Sequence, residues 1–115
     1  MRADLTKILY DKYPQLFPRK CEISCGDGWF DILNKLCYDI ASYLEIDPTA
    51  EFKCQQSKEK FGGLRFYGSG GDMKIYDLIH AAERSSIYTC ETCGAPGIRR
   101  GESWLYTSCE EHKRD

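Results

Sequence analysis

Apolar residues recur at three- and four-residue steps in two long stretches and at alternate positions in two shorter ones. The first long stretch begins near Asp27. Trp29, Leu33, Leu36, Cys37, Ile40, Ala41 and Leu44 share one helical face, while Asp31, Asn34, Lys35, Asp39 and Ser42 fall elsewhere. This spacing predicts an amphipathic helix with Asp27 as its N-cap and Pro48 just beyond its end. The second stretch carries Ile75, Leu78, Ile79 and Ala82 on one face behind a capping Asp72, with Asp77, Arg84 and Tyr88 along another side. A shorter helix over 3–12 places Leu5, Ile8 and Leu9 together and stops before Pro14. Leu16, Phe17 and Pro18 follow as an apolar connector.

Period-two alternation marks the strands. Phe52 and Cys54 alternate with Glu51, Lys53 and Gln55 in 51–57, and Leu64 and Phe66 alternate with Gly63, Arg65 and Tyr67 in 61–67. The polar run Ser57–Lys60 reads as the hairpin loop between them, and Gly68, Gly70 and Gly71 as the end of the second strand. The expected fold class is α+β, with a small antiparallel sheet packed by helices and a C-terminal zinc knuckle of treble-clef or ribbon type. The 115 residues fit a single domain, 1–115, in which 90–115 forms a zinc-binding subdomain.

Cysteine spacing adds the sharpest chemistry. Cys90-Glu-Thr-Cys93-Gly94 is a CxxC knuckle, and Cys109-Glu-Glu-His112 supplies a CxxH pair. Between them Ile98–Thr107 reads as a hairpin turning at Arg100-Gly101-Glu102. Cys90, Cys93, Cys109 and His112 thus make a closed Cys3His set for one structural zinc ion, with no open position for a substrate water. The total of seven cysteines is odd, which fits thiols and thiolates in a reducing compartment better than a disulfide framework. Cys37 and Cys54 fall at core positions. Cys21 and Cys25 could form a second metal pair, but with looser spacing and no nearby histidine. Cys25 also precedes the start of a helix, where a thiolate could be stabilised. Catalysis by a thiol needs a base, and the chain has two histidines, of which His112 belongs to the zinc set.

Net charge is −2, so a nucleic-acid or phosphate partner requires a local basic patch. Residues 53–74 provide one, with five basic and two acidic side chains. Gly62 and Gly63 would expose backbone N–H groups there, and Arg65 and Tyr67 share a strand face opposite Leu64 and Phe66. Lys60, Phe61, Gly62, Gly63, Arg65, Tyr67 and Arg84 are therefore the candidate ligand-binding residues, for a phosphate and a stacked base. Structural readings of the same residues are a bulge at the glycine pair, an Arg65–Glu83 ion pair and a core role for Trp29. No Walker or Rossmann motif is present. Residues 90–115 hold four basic and five acidic residues, so the knuckle by itself has no positive field. Residues 1–17 lack an apolar leader core, and no run reaches membrane-spanning length, so the expected location is cytoplasmic with no membrane partner.

Four segments carry a resemblance: Cys25-Gly-Asp-Gly-Trp29, Lys60-Phe-Gly-Gly-Leu-Arg-Phe-Tyr67, Cys90-Glu-Thr-Cys-Gly-Ala-Pro-Gly97 and Trp104 to His112. In this order they resemble a family of small, mostly uncharacterised phage and prophage proteins. The resemblance implies a bacterial host cell and an accessory role, by analogy with phage proteins that sequester nucleotide immune signals. Three function classes follow. The first is a non-cleaving sponge for a small phosphorylated nucleotide-type ligand. The second is a zinc-knuckle adaptor for nucleic acid or a host protein, using Arg99, Arg100, Lys113 and Arg114. The third is a nucleotide-directed enzyme drawing on Asp27, His80, Glu83 and Arg84. A homo-oligomer is compatible with each.

Overall fold

The computed structural model describes residues 1–19 and 21–114. Three helices form where the apolar stripes lie: α1 (Ala3–Lys12), α2 (Phe30–Ile46) and α3 (Met73–Ser86). The strands are β1 (Ile23–Ser24), β2 (Phe52–Lys60), β3 (Gly63–Gly70), β4 (Ile98–Arg100) and β5 (Tyr106–Ser108). The protein is α+β. Its main sheet has the order β1-β2-β3, with β1 parallel to β2 and β2 antiparallel to β3, so it is mixed rather than purely antiparallel. β1 has only two residues, too few to display an alternation. It is held beside β2 by pairing of Ile23 with Ser57 and by the Ser57 N–H, which donates to the Glu22 carbonyl at 3.0 Å.

The β2–β3 turn also departs from expectation. Ser57–Lys60 is strand, and the chain reverses in two residues, Phe61 and Gly62, with φ of 54° and 80°. Two positive φ values define a type I′ hairpin, whose twist matches the flanking strands. Lys58 pairs with Arg65 and Lys60 with Gly63 on the outer face of the sheet, while Ser57 and Phe66 pair on the buried face. The lysines look like loop residues in sequence because they belong to a solvated face. β3 likewise runs on through Gly68 to Gly70.

The core lies between the inner sheet face and the helices. Leu33, Leu36, Cys37 and Ile40 of α2 and Ile75 and Ile79 of α3 join Phe52, Leu64 and Phe66 of the sheet. The Phe52 and Phe66 rings stack 6.2 Å apart. α3 also closes the free edge of β3: Leu64 N–H donates to Ser86 Oγ at 2.8 Å and Phe66 N–H to Glu83 Oε2 at 3.0 Å. These bonds occupy an edge that would otherwise offer itself to another chain.

Asp72 caps α3 as the sequence predicts, accepting from Ile75 N–H at 3.1 Å. Tyr43 of α2 donates its hydroxyl to the same carboxylate at 2.5 Å. That hydrogen bond, with help from the backbone N–H groups, holds the Asp72 carboxyl below its usual range. A depressed carboxylate contributes stability above its unfolded pKa and loses it as pH falls through the folded value. Tyr43→Phe should therefore move the acid loss of helical signal to higher pH, read by circular dichroism across an acid titration. Asp27, by contrast, does not cap α2. It opens a short 3-10 turn, Asp27–Trp29, and its carboxylate accepts from the Arg2 N–H at 2.7 Å. Among the described residues, no helix is long and apolar enough to cross a membrane.

Candidate metal centre and a cationic cleft

Cys90, Cys93, Cys109 and His112 come together, with all four ligand atoms within 4.8 Å of one another. Cys93 and Cys109 sulfurs lie 3.8 Å apart, and His112 Nδ1 lies 3.2 Å from Cys109 Sγ and 3.7 Å from Cys90 Sγ. A tetrahedral zinc with bonds of about 2.3 Å to sulfur sets its sulfur ligands about 3.8 Å apart, so the donor set fits such an ion. The elements position each donor. Cys90 and Cys93 flank the tight turn after α3, where Gly94 adopts a φ of 84°. Cys109 directly follows β5 and caps the 3-10 turn on which His112 sits. Burial works against the Cys90 thiolate, but backbone N–H groups of Cys109, Cys93 and Thr92 outweigh it and bring the pKa to about 6. That is the protonation state a metal requires.

The Cys25–Trp29 motif receives this cluster. Gly28 N–H donates to the Glu91 carbonyl at 2.7 Å, and Gly26 N–H to the Glu91 carboxylate at 2.8 Å. A Cβ at Gly28 would stand 2.1 Å from the Cys90 carbonyl oxygen, so only glycine permits the approach. Trp29 is fully buried, and its indole N–H donates to the Thr89 carbonyl at 2.9 Å. Among the described residues, no other group of three or more metal-ligating side chains gathers, and Cys21 and Cys25 take different surroundings. Cys21 meets Cys54, with sulfurs 3.2 Å apart, while Cys25 is buried by itself near Glu91. Burial, reinforced by the Glu91 charge, pushes the Cys25 thiol up to about 12, the reverse of a stabilised thiolate.

The metal cluster also anchors β4 and β5 against the β2–β3 turn. Thr107 Oγ1 donates to the Gly62 carbonyl at 2.5 Å, and a Cβ added at Gly62 would stand 3.2 Å from the Tyr106 backbone. Gly62 N–H is taken by Glu59 Oε2 at 2.8 Å. Gly62 is therefore a structural turn residue whose N–H faces its own chain. Four of the remaining candidate ligand residues divide between two concavities. Arg65 and Arg84 line one of about 350 Å³ together with His80, Glu83, Ile87 and Arg99. Lys60 and Phe61 line another, also about 350 Å³, with Lys58, Trp104 and Leu105. Tyr67 is exposed on the outer sheet face and is not among the residues lining either.

The first concavity is lined by three arginines, Arg65, Arg84 and Arg99, and one carboxylate, Glu83. Arg65 Nη1 and Arg99 Nη2 lie 3.1 and 3.6 Å from the point a Cβ on Gly63 would occupy, so both tips hang over the same bare backbone. Arg65 donates to the Leu64 carbonyl at 3.0 Å. Glu83, the alternative partner for Arg65, accepts from Phe66 N–H instead, and among the described residues no ion pair involves Arg65, Arg84 or Arg99. The other basic groups of the C-terminal segment are engaged. Arg100 and Lys113 both pair with Glu110, at 3.3 and 3.5 Å, and Arg114 lies 4.3 Å over the Tyr106 ring. Arg99 stands far from Arg65 in the sequence and joins it only through docking of the β4–β5 hairpin, whereas His80 reaches the concavity on α3, which packs along β3.

Compared with known proteins, the chain matches no family model, no curated protein and no solved structure. The site must therefore be read from its own chemistry.

Proposed function

We propose that the protein binds a small phosphorylated nucleotide-type ligand and holds it uncleaved, with one structural zinc ion on Cys90, Cys93, Cys109 and His112. The zinc segment has a treble-clef arrangement: knuckle, β4–β5 hairpin, then a short helical turn carrying the last ligand. Four protein donors complete the coordination, so the ion's work is to hold β4 and β5 in place. The observation that carries the ligand reading is the convergence of Arg65, Arg84 and Arg99 on one concavity with no ion pair between them and a carboxylate. Three cationic groups share this concavity with a single carboxylate, Glu83, so positive charge is in excess there, and a phosphate offsets it while accepting paired hydrogen bonds from planar guanidinium groups. Of the two histidines, His112 belongs to the metal set. His80 alone is left for acid–base work, which favours retention of the ligand over turnover. The motif resemblance supplies the setting: an accessory phage protein that withdraws a nucleotide immune signal inside a bacterial host cell.

A second reading is an adaptor for a nucleic-acid strand. It draws on the outer sheet face, where Lys58, Lys60 and Arg65 lie together beside exposed Phe61 and Tyr67.

Arg65 tests the anion site. Arg65→Ala should weaken binding of inorganic pyrophosphate about tenfold or more, because charge-assisted hydrogen bonds contribute roughly 1.5–3 kcal/mol each. Arg65→Lys should recover only part of the loss. The melting temperature should hardly change, since Arg65 is half-buried and makes no ion pair. Calorimetric titration and thermal melting on both variants check this, and a destabilised variant that still binds would remove Arg65 from the site.

A further inference from the structure

The β2–β3 turn contains a residue that its own backbone disfavours. Type I′ turns take asparagine or glycine at both central positions, yet the first is Phe61 at a φ of 54°. Among the described residues no other non-glycine residue is placed in the left-handed region. A bulky side chain in that region is strained, and strain of this kind persists where function requires it. Packing gives no compensation, because Phe61 is 61% exposed.

Across the second concavity stands Trp104, in the connection between β4 and β5 and 80% exposed. Leu105 supplies an apolar wall, and Lys58 and Lys60 line the same space. Lys60 Nζ lies 5.6 Å from the Phe61 ring centre. Two exposed aromatic rings with ammonium groups beside them form a surface suited to a flat, anionic molecule. The concavity also adjoins the guanidinium cluster. Lys58 lines one and Arg65 the other, and these two residues are direct cross-strand partners on one face, about 5 Å apart.

We infer that Phe61 and Trp104 form a stacking clamp for the base of the phosphorylated ligand, whose phosphates reach from Lys58 and Lys60 to Arg65 and Arg99. The inference rests on the anion-binding reading and narrows its ligand class to nucleotides with an accessible base face. It also explains why phenylalanine occupies a turn position that asparagine would fill with less strain. The strain holds the ring over the cleft.

The opposing demands of turn and ligand provide the test. Phe61→Asn creates the Asn-Gly pair that type I′ turns favour, so the melting temperature should stay level or rise. Affinity should be measured by calorimetry for inorganic pyrophosphate, ADP and cyclic di-AMP. Wild type should bind at least one purine probe about tenfold more tightly than pyrophosphate, with quenching of tryptophan emission that Trp104→Ala abolishes. Phe61→Asn and Trp104→Ala should each lose about tenfold for that nucleotide and leave pyrophosphate binding unchanged, since stacking acts on the base alone. Arg65→Ala should weaken all binding. If both aromatic variants kept full nucleotide affinity while Arg65→Ala lost it, the clamp would be overturned and the anion site would stand. A lower melting temperature for Phe61→Asn would assign the ring to the fold and overturn its place in the clamp. Failure of wild type to bind any probe would overturn the anion site and the clamp with it.

Discussion

Replacing Cys109 with serine should remove the zinc ion proposed for the Cys3His cluster, unfold the segment from Cys90 to Arg114, and abolish the proposed anion binding together. Zinc binding in small Cys/His sites is largely folding energy, on the order of 10 kcal/mol at neutral pH. Its own regular structure is slight. β4 and β5 are three residues each, β4 is largely exposed, and β5 is buried against the β2–β3 turn. Without the ion, three sulfurs and an imidazole within 4.8 Å of each other have no attraction to keep them there. Arg99 rides on β4 and Trp104 on the following turn, so both would leave the clefts even though neither touches the metal. Elemental analysis, thermal melting and pyrophosphate titration of Cys109→Ser should change together, and a strong chelator should reproduce the effect on wild type. A variant with unchanged zinc content and melting temperature would show that Cys109 is no ligand.

Trp29→Ala should cost about 3–5 kcal/mol, the range for emptying a large buried aromatic site. The indole is wholly enclosed and also satisfies the Thr89 carbonyl one residue before the first metal ligand. Its loss would leave both a cavity and an unpaired acceptor, at the seam between α2 and the metal segment. Single domains have only about 5–15 kcal/mol of total stability, so the variant should be close to unfolding at body temperature. Trp29→Phe keeps most of the volume and loses the hydrogen bond, so it should fall between wild type and alanine. Chemical denaturation of the three proteins gives the comparison. Normal stability for Trp29→Ala would contradict its role as the anchor.

The helices and the Cys3His cluster are legible in the sequence because each rests on a local signal. The stripe from Leu33 through Ile40 and the capping Asp72 needed no knowledge of distant contacts, and the two ligand pairs announced themselves by spacing. The sheet was harder. Ile23 and Ser24 are too short a run to alternate, and they become strand only because β2 lies beside them. Lys58 and Lys60 were taken for a loop because a solvated strand face has loop-like composition. The turn at Phe61 was hidden because phenylalanine is a poor turn residue. The candidate ligand site was half legible. Arg65, Arg84, Lys60 and Phe61 carried a charge and aromatic signal, but the partners that complete each cleft, Arg99 and Trp104, lie beyond the metal knuckle in sequence. An accessible Gly62 N–H and one satisfied by Glu59 look alike in sequence until the turn is known.

Retention of an intact ligand is the most direct test of the proposed function. The purified protein should be incubated with a panel of linear and cyclic nucleotides, separated from free ligand, denatured by heat, and the supernatant resolved by chromatography. Recovery of one chemically unchanged nucleotide in roughly equal ratio to protein, lost in Arg65→Ala, is the expected result. A hydrolysed or rearranged product would make the protein an enzyme, and recovery of no nucleotide from any mixture would contradict nucleotide binding altogether.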